Sequence, residues 1–482
     1  MIVGTATSAQ TTARRLRVSW WSVLVLVVAA APRVWAALWD GGVFEPAEIC
    51  ETLEPAHHAA FGWGLLTREF REGSRSFIFP GLISGVWKVA ALLGVRSSSG
   101  LVGIAKLGMA ALSIAGVWFA MSLARRLRGE RAAILTGLLV GACPPLIALG
   151  SRCLPGAASA PLVVLVAALL QTRQRRDAVL AGIVTALTLF LRYPNGLLAI
   201  AFAILLVAQQ RREDARAYLL AVAGTSLVGG LVDWPAWGWP FHSLWMFVKV
   251  YTVGGRLGTL PALSPLFYSE HLASSIGLTY GLLLLGLVLA WRRARGLVLV
   301  VLFFVVAQSF ARVKELDFIL PVLPLAIAVA AVGLVRMLDG LGRRGLPTYV
   351  FGLACAAQMA WIARAPTRGE LGFGASDWVI WHSGADYFRT IQRAASETDL
   401  CGVVFLANEP AWSGGYTYLN RSVPIFFDAK PPHLAAANYV VGSKTEKLPP
   451  GWRSIFTDGG NALYQRAGGC SEPPQDWTMN LP

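Results

Sequence analysis

The stretch "SFIFPGLISGVWKVAALLG", residues 76–94, decides how this chain is threaded. If it crosses a bilayer, every later loop changes side. A bilayer core of about 30 Å takes roughly 17 to 25 apolar residues in a helix, and the uncharged part of this stretch, before Lys88, is too short. The rest of the chain supplies the test. Of 482 residues, 55% are hydrophobic and only 14% charged, and the mean hydropathy of +0.55 lies far outside the soluble globular range. Apolar runs near spanning length recur at 19–39, 100–123, 133–150, 156–171, 178–191, 194–209, 217–232, 273–291, 297–311, 318–335 and 348–363. The reading is a multi-pass integral membrane protein with about eleven transmembrane helices.

Loop charges settle the threading. Cytoplasmic loops are enriched in Lys and Arg. Arg14, Arg15 and Arg17 precede the first run, and alternate loops then hold Arg125, Arg126, Arg128 and Arg131; Arg173, Arg175 and Arg176; Arg211, Arg212 and Arg216; Arg292, Arg293 and Arg295; and Arg336, Arg343 and Arg344. Counting 76–94 as a span would put Arg125 to Arg131 outside and invert each later loop. It therefore reads as lying along the outer interface. Residues 40–99 become one long external loop with amphipathic, membrane-hugging helices, as the spacing of Glu48, Glu51, Glu54 and His58 on one helical face allows. The first apolar run is too long for a signal h-region and reads as a retained span.

With residues 1–364 as the transmembrane domain, the tail 365–482 falls outside and turns to soluble composition. "SGADYFRTIQRAASE" reads as an amphipathic helix. "CGVVFLA", "YTYLN", "VPIFF", "ANYVVGS" and "ALYQRAG" read as short strands, which makes a small α/β external domain. The net charge of +15 sits in clumps between apolar runs rather than along one face, so nucleic acid is not an expected partner. The six cysteines show no CxxC pair and no zinc-ligand spacing. Cys401 and Cys470 share the tail, where a disulfide and two free thiols are the alternatives.

Membrane-level charges gather at the external ends of the spans, where ionisable groups are costly unless functional. Asp40, Glu45 and Glu48 follow the first span, Arg192 stands between the fifth and sixth, and Asp233 ends the seventh and opens a Trp-rich loop. Arg312, Lys314, Glu315 and Asp317 precede the tenth. Carboxylates facing cations in one outward cavity suit a transfer from a lipid-linked phosphate to a polar acceptor. The carboxylate takes a hydroxyl proton and the cations hold developing phosphate charge.

The external loop is also similar to a known pattern. Pro46, Glu48, Glu54, His57, Phe61-Gly62, Leu66-Thr67, Glu69, Arg71, Arg75-Ser76 and Pro80 match, in order and spacing, the first luminal loop of glycosyltransferase family 22, the polyprenyl-phosphate-mannose-dependent mannosyltransferases. "KELDFILPVLPL" resembles that family's His-Lys-Glu-x-Arg-Phe-x-x-Pro segment. Arg192 with Pro194 resembles its Arg-Pro-Thr turn, and Asp233, Trp237-Gly238 and Tyr268 resemble its Asp, Tyr-Gly and Trp-Tyr loop. The resemblance implies a mainly α, GT-C type helical bundle and an inverting hexosyl transfer with no metal or cofactor.

It also implies roles: Glu48 as base, with Asp40 and Glu45 behind it; Lys314, Arg312 and Arg192 on the donor phosphate; Glu54, His57, Asp233, Glu315 and Tyr268 on substrate. The implied partners are a polyprenyl-phosphate sugar donor, a glycan or glycolipid acceptor and membrane lipids. The departures from the pattern are Glu45 for its His, Ala47 for its Asp, Val313 for its later His and Asp317 for its Arg. Plainer readings stand beside these roles: Glu48 as a solvated helix face, Arg192 snorkelling, Lys314 with Glu315 as a local ion pair, Asp233 as a helix-end charge, His57 as a structural hydrogen-bond partner. At the level of the whole chain the alternatives are a catalytically inactive scaffold subunit and a lipid or sugar transporter. Heavy use of Arg over Lys points to a GC-rich bacterial genome and an inner membrane, with the endoplasmic reticulum as the eukaryotic counterpart.

Overall fold

The computed structural model describes residues 19–39, 41–253, 262–339, 346–364, 384–408, 410–475 and 477. The protein is mostly helical, with a small sheet near its C-terminal end. Among the described residues, five helices are long and apolar enough to cross a membrane: Trp20–Trp39, Ser98–Arg128, Arg212–Trp237, Leu320–Asp339 and Leu346–Ala363. Two bent pairs raise this to seven if each is one span: Glu130–Ala142 with Pro144–Ser151, bent by 69°, and Phe267–Ile276 with Leu278–Ser309, bent by 117°. The apolar runs of the sequence are all helical, yet several are short: Pro155–Leu170 and Tyr193–Ala208 fall below spanning length. The runs expected at 273–291 and 297–311 join as Leu278–Ser309, with a non-helical Ala294 among Arg292, Arg293 and Arg295.

The deciding stretch is the helix Ile78–Leu92, which buries Phe79, Pro80, Ile83, Ser84, Trp87 and Ala90 and leaves Leu82, Val86, Val89 and Leu92 exposed. That division gives the helix one face packed on protein and one apolar face left exposed. The centre of the bundle is Leu320–Asp339, whose apolar window is 83% buried. It lies against Leu278–Ser309 with backbones almost touching at Gly286 and Gly333, since a Cβ on Gly333 would meet the Gly286 carbonyl. Small residues allow that approach in lipid, where close packing replaces the hydrophobic effect as glue.

A buried arginine holds the bent third helix. Where Cys143, Pro144 and Pro145 break the backbone ladder, carbonyls upstream lose their amide partners. Arg33, from the first helix and fully buried, donates to Gly141 O at 2.9 Å, Val140 O at 2.9 Å and its own Ala29 O at 2.8 Å, and its Nε meets Ser113 Oγ at 3.0 Å.

In the tail, the helix Ala385–Ala395 buries Tyr387, Phe388 and Ile391 against a five-stranded sheet. Numbering the strands β1 Val403–Phe405, β2 Ile425–Phe426, β3 Tyr439–Ser443, β4 Trp452–Asp458 and β5 Asn461–Arg466, the order is β2-β1-β3-β5-β4. β1 runs parallel to β2 and β3; β5 is antiparallel to β3 and β4. Two sequence expectations need correcting. "YTYLN" is not a strand but the helix Gly415–Leu419, entered through left-handed Gly414 and Gly415 and left through left-handed Asn420. Its residues are all buried, so the alternation of aromatic and polar types misled. β4 was not foreseen because most of its residues are exposed; it is fixed by its hairpin with β5, turning at Gly459 and Gly460. Cys401 and Cys470 are joined.

Candidate active site

The segment after the first helix begins helically at Pro46 and widens into a π-helix, Glu48–Leu53, before the α-helix Glu54–Phe61. Such π-turns recur at functional sites. The wider turn also rotates residues that an α-helix would align, so Glu45, Glu48, Glu51 and Glu54 do not share one face. Each goes to a different partner.

Glu48 is fully buried. It accepts from Phe44 N at 3.2 Å and Cys153 N at 3.2 Å, and pairs with buried Arg152 at 3.5 Å. Arg152 and Lys106 both donate to Gly42 O, the Lys106 bond being 3.0 Å. This is a closed clamp between the first loop and the turn after Ser151. The structure thus places Glu48, expected as the base, in a buried ion pair between loops, and it does not line the cavity beside Arg192.

Glu45 turns instead toward the loop before Leu320. One carboxylate oxygen from each of Glu45, Glu315 and Asp317 lies within 4.8 Å of the other two. Asp317 pairs with Arg192 at 3.6 Å, and the Arg192 guanidinium stacks 3.7 Å above the Phe318 ring. The helix Pro155–Leu170 backs the cluster without a side chain between, because a Cβ on Gly156 would meet both the carbonyl and the carboxylate of Asp317. Beside it Glu51 pairs with Arg75, whose guanidinium also sits 5.8 Å from the Phe247 ring and 5.6 Å from the Tyr251 ring. A narrow cavity lies between the two arginines, lined also by Ser76, Pro155 and Tyr193.

The electrostatics single out this cluster. Burial pushes the Glu45 carboxyl well up, and the neighbouring Glu315 and Asp317 push it further, against the pull of Arg192. Burial and Asp317 raise Glu315 to about 7. Burial raises Asp317 against the pull of Arg192 and Arg75. Buried atoms remain without a hydrogen-bond partner among the described residues: Glu45 Oε2, Asp317 Oδ1, Arg192 Nη1, Arg75 Nε and the Tyr268 hydroxyl. Unpaired buried polar atoms are rare and expensive, and so many in one place mark a site built for something that arrives. Three convergent carboxylates are also a donor set a hard divalent cation would accept.

The other sequence candidates go elsewhere. Asp40 lies outside the described residues. Arg312 is exposed, and Lys314 donates to the carbonyls of Leu263 and Ala311, tying its own loop rather than facing the carboxylates. Glu54, fully buried, accepts from Leu65 N at 3.3 Å and Thr417 N at 2.6 Å; burial raises it to about 7, opposed by these donors. His57 lies 3.2 Å from Trp63 O and 3.0 Å from Asn420 Oδ1. Asp233, fully buried, accepts from Ser243 N at 2.8 Å and also from its hydroxyl, stapling the Trp-rich loop. Arg75 and Glu51 take the places at the cavity that Lys314 and Arg312 were expected to fill. Arg75 stood in the matched motif without a role.

The fold is that of the GT-C class of polytopic membrane proteins. The ArnT structure from Cupriavidus metallidurans bound to undecaprenyl phosphate superposes with a TM-score of 0.58 at 15% identity, over 95% of this chain and 100% of that one. The apo oligosaccharyltransferase from Archaeoglobus fulgidus gives 0.57 at 12%, over 88% and 70%. Within that class the chain belongs to the Alg9-like mannosyltransferase family, whose profile matches residues 23–368. It is similar to GPI mannosyltransferase 3 of Yarrowia lipolytica, 33% identical over 321 residues, which is 64% of this chain and 61% of that protein. It is also similar to human GPI alpha-1,2-mannosyltransferase 3, 34% identical over 90 residues, 19% of this chain and 16% of that one. The chain thus spans about three-fifths of the length of the Yarrowia relative.

Proposed function

We propose that this protein is an inverting mannosyltransferase that moves mannose from a polyprenyl-phosphate carrier to a glycan or glycolipid acceptor on the non-cytoplasmic side of the membrane. The observation that carries the reading is the cluster of Glu45, Glu315 and Asp317 beside Arg192 and Arg75, with unpaired buried atoms of both signs. Glu45 is the base. Its free Oε2 takes the proton of the acceptor hydroxyl as that oxygen attacks the anomeric carbon. The bond from that carbon to the phosphate oxygen breaks, and its electron pair leaves with polyprenyl phosphate. Arg192 and Arg75 hold the charge that develops there, and the configuration inverts.

A raised carboxyl suits the task, because its ionised form is more basic and takes a proton more readily than an ordinary carboxylate. Burial and like charge raise Glu45 in that direction. The ArnT likeness supports the carrier class, since that structure holds undecaprenyl phosphate. The disulfide in the tail supports an outward site, because disulfides persist in oxidising compartments. The transfer is expected to need no metal.

The deciding experiment supplies purified protein in liposomes with polyprenyl-phosphate-mannose and a mannosylated glycolipid. Release of polyprenyl phosphate, matched by one added mannose on the acceptor, is expected. A second reading has one observation behind it, Ala47 where the family pattern has Asp: an inactive chain that binds the carrier and serves as a scaffold. Carrier binding without any release under these conditions would replace the first reading by the second.

A further inference from the structure

Glu54 belongs neither to the cavity nor to the Glu48 clamp. Its donors come from two parts of the chain, Leu65 N in its own loop and Thr417 N in the tail domain, with Tyr416 N also facing it. Less than one helical turn on, His57 meets Asn420 Oδ1, while Asn420 Nδ2 donates to Arg96 O at 2.7 Å. The front and the back of the long first loop are thus joined through one segment, Gly414–Asn420. The backbone of that segment is shaped for the contact. Gly414, Gly415 and Asn420 adopt φ of 71°, 48° and 45°, and a Cβ on Gly415 would lie 2.7 Å from the Glu54 carboxyl carbon. Trp63 meets Tyr416 edge-on at 5.4 Å, and the Cys50 thiol reaches Ala411 O at 3.7 Å. The π-helix between Glu48 and Glu54 is therefore pinned at both ends. Its middle carboxylate, Glu51, is the one that pairs with Arg75 at the cavity.

We infer that Gly414–Asn420 is a clasp by which the tail domain holds the first loop in its working shape, with Glu54 and Asn420 as positioning residues for Glu45, Glu51 and Arg75. The tail domain thereby contributes to transfer without touching substrate. A shift of a loop by an ångström costs up to about a hundredfold in rate when reacting groups must align, so the clasp has enough leverage to matter.

The activity half of the test rests on the mannosyltransferase reading; the structural half does not. Full-length protein in lipid nanodiscs is compared with Asn420→Gly, which keeps the left-handed backbone and removes both side-chain bonds, with Asn420→Asp, which keeps a partner for His57, and with Glu54→Gln. Amide hydrogen exchange over residues 48–67 is read without substrate, and kcat and KM with polyprenyl-phosphate-mannose. Asn420→Gly and Glu54→Gln are expected to speed exchange in 48–67 while the spans stay protected, and to lower kcat on the order of tenfold with KM for the donor nearly unchanged. Asn420→Asp is expected to recover part of both. Unchanged exchange in 48–67 in both Asn420→Gly and Glu54→Gln overturns the clasp, whatever the activity. Faster exchange with undiminished kcat overturns the positioning role. A wild-type protein that transfers nothing removes the activity reading alone, and the exchange result still decides the clasp.

Discussion

Glu45 and Glu48 stand three residues apart, carry the same side chain and are both buried, yet their surroundings prepare them for opposite tasks. Around Glu48 every contact is complementary: two backbone N–H groups and an arginine. Around Glu45 the nearest groups are two further carboxyls, Glu315, with which it shares a hydrogen bond, and Asp317, only partly offset by Arg192, and one oxygen is left unpaired. The difference teaches that burial alone does not mark a reactive carboxylate. What marks it is burial among groups that do not satisfy it, because only such a group gains when a ligand arrives.

The contrast can be broken most directly by replacing the two in turn. Glu45→Gln is expected to lower kcat by about 10²–10⁴, the usual worth of a positioned base, with the protein's thermal midpoint held or raised, since a raised buried carboxyl is removed. Glu48→Gln is expected to do the reverse. It leaves buried Arg152 without its counter-charge, which costs about 3 kcal/mol, seen as a lower unfolding midpoint and poorer recovery from the membrane. If Glu48→Gln folds normally and abolishes transfer, the roles are exchanged and the clamp is the site.

The pH profile sharpens the same contrast. Glu45 and Glu315 hold protons to higher pH than ordinary carboxyls, Glu315 to about 7. The ionised base is therefore scarce where an ordinary carboxylate would already be charged, and the rising limb of kcat/KM should lie at higher pH than an ordinary glutamate gives. Glu315→Gln removes a neighbouring negative charge that raises Glu45, so the rising limb should move to lower pH. A limb left in place would separate Glu45 from the reaction. A smaller effect is expected from chelation: transfer should persist after exhaustive treatment with EDTA, whereas its loss and return with added divalent cation would assign the three carboxylates to a metal. The smallest effect is expected from Arg312→Ala. Its side chain is exposed and distant in role from Arg192 and Arg75, so donor KM should change by less than about twofold, within the range of ordinary surface substitutions.

Much of this was legible before any coordinates. The positions of the apolar helices follow from hydropathy. Glu45, Arg192, Glu315 and Asp317 were recognisable because charges at membrane depth need a reason. The choice among the acidic residues was not legible. It depends on the π-turn at Glu48–Leu53, where one widened turn sends each glutamate to a different partner, and no residue type encodes that bulge locally. Partners distant in sequence were equally hidden. Arg152 for Glu48 and Thr417 for Glu54 are set by tertiary packing, and Thr417 lay in a stretch whose aromatic alternation suggested a strand. The number of crossings was also beyond reach of hydropathy, since bends at Cys143 and Gly277 make one apolar run into two helices.

The arginine inside the first helix has a bearing on how the protein is made. A lone arginine near the middle of a span costs about 2.5–3.5 kcal/mol to insert on translocon scales, and the carbonyls that satisfy Arg33 belong to residues 140 and 141, which emerge from the ribosome much later. The first helix must therefore wait, held at the translocon or in a looser position, until the bent helix arrives. Synthesis stalled before residues 140 and 141 have left the ribosome should leave the first helix extractable, and synthesis long enough to carry them into the membrane should lock it in place.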